Sequence, residues 1–96
     1  MKPSQALETH RAELRTLVAR FGFLQPRVFG SVATGSDAEN SDLDLLVDPT
    51  PGTTLLTLAA LQNEAERLLG VPVDVQTPKS IAARFRDQVL KQALAV

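Results

Sequence analysis

The 96 residues are 44% apolar and carry ten basic against eleven acidic side chains, a formal net charge of −1; a chain of this length buries about 60–65% of its unfolded surface, so residues 1–96 read as one domain. The balanced charge excludes a general drive toward genomic DNA or anionic lipid, and the absence of cysteine excludes disulfides and thiolate metal sites. No apolar run reaches the ~20 residues of a membrane span and residues 1–22 lack a secretory h-region, so no membrane is expected and the cytoplasm is the expected location.

A first helix is predicted from a cap at Ser4, with Leu7, Leu14, Leu17, Val18 and Phe21 at three- and four-residue spacing and a stop at Gly22. Phe23 to Phe29 reads as a short strand, irregular at first because of Pro26. Gly30-Ser31-Val32-Ala33-Thr34-Gly35 is a sharp small-residue turn, and Ser36 to Asn40 is a polar loop. A second strand starts at Asp42, alternates and then becomes continuously apolar through Leu45, Leu46 and Val47, closing at Asp48-Pro49. Thr53 or Thr54 caps a helix through Leu69, stopped by Gly70. Val71 to Val75 is a third, β-branched strand, and Ser80 opens a last helix with Ile81, Phe85 and Val89 on one side. The expectation is an α/β (α+β) chain with a small mixed sheet of about three strands.

The chemistry gathers on the strands. Asp42 and Asp44 are two apart, so both side chains leave one face while Leu43 and Leu45 take the other. Two like charges so close call for a hard divalent cation, and magnesium suits them. Asp74, flanked by Val73 and Val75, is a third strand carboxylate. One helical crossover joins its strand to that of Asp44, a connection that places parallel strands close together. The turn bounded by Gly30 and Gly35 offers backbone N–H groups and the Ser31 hydroxyl to a phosphate. Three acids and a phosphate turn are the parts of two-metal phosphoryl transfer.

Gly30-Ser31-x-Ala33-x-Gly35 followed by Ser41-Asp42-x-Asp44 resembles the signature of the minimal nucleotidyltransferases of the DNA polymerase beta superfamily, and the likeness runs through Val71-Pro72-Val73-Asp74-Val75. The resemblance implies the polymerase beta-like fold and a metal-dependent transfer of NMP, with ATP as the nucleotide and AMP as the group moved. It implies that Asp42 and Asp44 bind two Mg2+ ions, that Asp74 binds the one beside the attacking hydroxyl, and that Gly30 and Ser31, with Gly35 and Ser41, hold the triphosphate. Small members resemble antitoxins that pair with a HEPN ribonuclease toxin and transfer AMP to its tyrosine, which implies a hetero-oligomer. The turn departs from the family at Thr34, where Arg is common, and so lacks a cation beside the phosphates.

Other residues read more plainly. His10, between Leu7 and Leu14, packs at the core margin; Asp48, before Pro49, ends its strand; Arg27 and Lys79, near the ends of strands one and three, read as solvated cations, the alternative being that one of them supplies the charge missing at Thr34; Arg84, Arg86 and Lys91 around Asp87 read as a solvated face. The alternative function is a non-catalytic antitoxin that neutralises a toxin by occupying it.

Overall fold

The computed structural model describes residues 1–96. Helix α1 spans Pro3–Arg20 and buries Ala6, Leu7, Leu14, Leu17 and Val18 along one stripe. It starts one residue before the expected Ser4 cap, with Pro3 in the first turn, where its missing N–H is not needed. The Ser4 N–H is instead accepted by Asp37 Oδ2 at 2.8 Å, from a loop 33 residues away. His10 is half-buried at a kink in α1 (φ −122°, ψ 24°), its Nδ1 2.9 Å from Glu13 Oε1.

The following elements are β1 (Leu24–Phe29), α2 (Gly30–Thr34), β2 (Leu43–Asp48), α3 (Leu55–Leu69), β3 (Val73–Gln76), a 3-10 turn (Pro78–Ser80), α4 (Ala83–Gln92) and β4 (Leu94–Ala95). Thr54 caps α3 by accepting the Thr57 N–H at 3.2 Å, and Gly70 ends it at φ +71°, a conformation that costs glycine little. Strand β1 is irregular as expected: its register with β2 shifts between Leu24 and Arg27.

The sheet order is β3-β2-β1-β4, with β2 parallel to β3 and β1 antiparallel to both β2 and β4. Four strands thus replace the expected three. The fourth is only Leu94–Ala95, paired with Val28 and Arg27, and two exposed residues carry no readable periodicity. The last helix begins at Ala83, not Ser80, because the Ser80 hydroxyl accepts the Thr77 N–H at 2.9 Å and closes the 3-10 turn.

One face of the sheet builds the core: Val28, Leu43, Leu45, Val47, Val73 and Val75 join the buried residues of α1 and Leu61, Ala65 and Leu69 of α3. On the other face of β2 stand Asp44, Leu46 and Asp48. Two α3 side chains complete the edge strand. Glu66 Oε2 accepts the Val73 N–H at 3.0 Å and Gln62 Oε1 accepts that of Val75 at 3.1 Å, which holds β3 on both sides of Asp74.

Candidate active site

Asp44 and Asp74 are register partners across the parallel β2–β3 pair. Their strands are about 4.8 Å apart, so the two carboxylates leave the non-core face side by side. That parity is enforced from beneath, since Leu43, Leu45, Val73 and Val75 are all buried in the core; a slip of one residue would turn the acids inward. Asp42 is exposed and lies just ahead of β2, which begins at Leu43 and not at Asp42 as expected. Burial raises the Asp44 carboxyl above its ordinary range, and the charges of Asp74 and then Asp42 push it in the same direction. No cation is among the influences on it.

Gly30 brings the turn at the start of α2 against this pair. Its φ is +67°, and a Cβ there would stand 2.2 Å from Asp44 Oδ2, so both conformation and space require glycine. Ser31 follows, half-buried, in the first turn of α2. Gly35, in the left-handed conformation, ends that helix. Thr34 Oγ1 lies 2.9 Å from Ser36 Oγ on the exposed side of the turn. Ser41 Oγ accepts the Ala38 N–H at 2.8 Å and so shapes the loop leading into Asp42.

The donor set fits hard divalent cations: three carboxylates, two of them adjacent and half-buried, with no positive charge acting on Asp44. No group of three or more His, Asp or Glu closes around one point. A cation held here needs further oxygens, and Mg2+ is commonly completed by water and substrate phosphates.

The structure changes the reading of several residues. Arg27, expected to be solvated, has a side chain only 18% exposed and bonds Asp48 through Nη2 at 2.9 Å and Nη1 at 3.3 Å, while its buried Nε has no partner. Its charge is therefore engaged at the far end of β2. Asp48 does end its strand, but as the partner of this arginine. Lys79 is exposed, as expected. On α4, Arg84 lies over the Phe85 ring at 4.7 Å and Arg86 donates to the carbonyls of Pro78 and Ile81, so neither is merely solvated. The apolar side expected for that helix is not in the core: no α4 residue is buried, and Phe85 is 49% exposed.

Gln76, overlooked in the sequence, donates through Nε2 to both oxygens of Asp74. Its signal was strand parity, since it lies two residues beyond Asp74. A concavity of about 480 Å³ lies elsewhere, between α1 and α3, and is lined by Leu17, Arg20, Glu64 and Arg67 among others. It contains none of the aspartates.

Comparison with known proteins shows the family and the fold. The model of the nucleotidyltransferase domain family matches residues 8–96. The chain is similar to protein adenylyltransferase MntA of Thermococcus cleftensis, with 37% identity over 90 residues that cover 94% of this chain and 88% of the relative. Among solved structures it is similar to one described as a minimal nucleotidyltransferase, with a TM-score of 0.83, 45% identity and coverage of 97% and 93% of the two chains. A chain from a toxin–antitoxin structure with AMP-PNP shares the fold, with a TM-score of 0.75 at 21% identity over 88% of this chain and 69% of that one.

Proposed function

The chain belongs to the nucleotidyltransferase domain family, and on that footing we propose that it moves AMP from ATP to a hydroxyl of a partner protein, a tyrosine of a HEPN-type toxin. The observation that carries this reading is the Asp44–Asp74 pair set directly against Gly30. The similarity to an adenylyltransferase named MntA supports AMP as the group, and the shared fold with a chain from a structure holding AMP-PNP supports a purine triphosphate as donor. The chain itself has no tyrosine, so a tyrosine acceptor must come from another polypeptide. Exposed Phe85, Leu90 and Leu94 on α4 and β4 offer apolar surface for such a partner.

In this reading the turn from Gly30 to Gly35 seats the phosphates, and Ser31 donates its hydroxyl to them. Asp42, Asp44 and Asp74 would hold the Mg2+ ions. Bound there, magnesium offsets the charge of the triphosphate and of the departing pyrophosphate. The acceptor oxygen attacks the α-phosphorus in line, the bond to pyrophosphate breaks with its electron pair leaving on that group, and the hydroxyl proton passes to Asp74. Charge repulsion among the three carboxylates disfavours the empty arrangement, and the incoming cations relieve it.

Thr34 favours a second reading, a binding module that neutralises a toxin by contact alone, because Thr34 supplies no cation to the phosphates. One experiment separates the two. The chain and its Asp42→Asn/Asp44→Asn double variant are incubated with Mg2+, α-labelled ATP and the toxin. A label on the toxin with the unaltered chain alone, together with loss of neutralisation in the variant, supports transfer. Neutralisation by both forms without label sinks the enzymatic reading.

A further inference from the structure

Asp74 has a neighbour whose geometry restricts how it can accept a cation, an inference that rests on the reading of Asp74 as a metal ligand. Gln76 leaves β3 on the same face as Asp74, two residues away. Its Nε2 is 3.1 Å from Oδ1 and 3.1 Å from Oδ2. A donor equidistant from both oxygens occupies the bisector of the carboxylate, the position a cation takes when it binds both oxygens at once.

The amide has only one workable orientation. An ionised carboxylate accepts and does not donate, so the NH2 group must face Asp74. The amide oxygen then faces Ser80, whose hydroxyl lies 2.6 Å from it and 2.8 Å from the Thr77 carbonyl and shares its one proton between them. Ser80 is tied into the 3-10 turn, and Leu46, the register partner of Gln76 on β2, is fully buried. The Gln76 amide is thus held at both of its ends, by Asp74 and by Ser80.

We propose that Gln76 sets the metal preference of the site. By filling the bite of Asp74, it leaves that carboxylate able to bind a cation through a single oxygen. Mg2+ and Mn2+, small octahedral ions, accept such coordination readily, whereas Ca2+ takes more oxygens and uses carboxylates in the two-oxygen mode as well. Gln76 is a positioning residue in this scheme and does not itself touch the nucleotide.

The test is binding of Mn2+ to the full chain, followed by electron paramagnetic resonance, with Ca2+ added to displace it. Wild type, Gln76→Leu and Asp74→Asn are compared, each with its thermal midpoint. The expected result is that Ca2+ displaces Mn2+ from Gln76→Leu at a concentration about tenfold lower than from wild type, the scale on which partners of metal ligands act, with the midpoint unchanged. Identical displacement curves for wild type and Gln76→Leu, with Asp74→Asn weakened, overturn the role of Gln76 alone. An Asp74→Asn variant that binds both ions like wild type removes Asp74 as a ligand and overturns both readings. If leucine disturbs the fold, Gln76→Met keeps the length of the side chain without the donor and answers the same question.

Discussion

At Gly30, backbone conformation and available space make the same demand for different reasons. A non-glycine residue at φ +67° costs about 1–2 kcal/mol, and the added methyl would have to displace Asp44 Oδ2 from 2.2 Å. Gly30→Ala should therefore lose roughly a hundredfold or more in transfer rate, the effect of moving a reacting group by about an ångström, and its thermal midpoint should fall by roughly 4–16 °C. Steady-state rates beside a melting curve check this, and a variant with wild-type rate would separate Gly30 from the chemistry. Asp44 makes a prediction of opposite sign for stability. Its carboxyl is raised by burial and by Asp74 and Asp42, so the folded chain holds that proton more tightly than the unfolded chain does. Stability then falls as pH rises from the ordinary value of 3.8 through the raised one, and the full cost is present above it. Metal-free Asp44→Asn should melt above wild type at neutral pH, with the gap closing in acid, even though transfer is lost. A gap independent of pH would show that the carboxylate charge is not its source.

Contacts between elements explain what could be read in the sequence and what could not. The alternation in β2, the caps at Thr54 and Gly70 and the crossover through α3 are local patterns, and they place Asp44 beside Asp74. Gln76 follows from the same parity once the third strand is extended by one residue. By contrast, Asp37 capping α1 from 33 residues away, Arg27 bonded to Asp48 across 21 residues and β4 pairing with β1 are long-range. No spacing announces them, because loops and twist bring the partners together. Asp37 is the simplest to test. Its carboxyl is lowered, chiefly by the Ser4 N–H, so its contribution is present above the ordinary value of 3.8 and is lost as pH falls through the lowered value. Asp37→Ala should cost about 1 kcal/mol at neutral pH, as loss of a helix cap does. That corresponds to roughly 4–8 °C in midpoint for a domain of this size, with no difference from wild type in strong acid. An equal loss at every pH would mean that the alanine acts by something other than this hydrogen bond.

For the whole molecule, the question is where an acceptor protein could approach. The core side is closed by α1 and α3, whereas Asp44 and Asp74 leave the opposite face with Gly30 set against them. Helix α4 neighbours α2 and contributes no buried residue, yet it presents Phe85 at 49% exposure, and Leu94 beyond it is 54% exposed. Side chains this exposed contribute little to the stability of the free chain, so their replacement by serine should leave its midpoint nearly unchanged. An aromatic anchor covered in a complex contributes on the order of 1–2 kcal/mol. Phe85→Ser/Leu94→Ser should therefore raise KM for the protein acceptor by about tenfold while KM for ATP holds, because neither residue belongs to the Gly30–Gly35 turn proposed to seat the phosphates. Competition kinetics at saturating ATP measure the first quantity and nucleotide titration the second. If both constants stay at wild-type values, the acceptor reaches Asp74 by a route that does not cross α4.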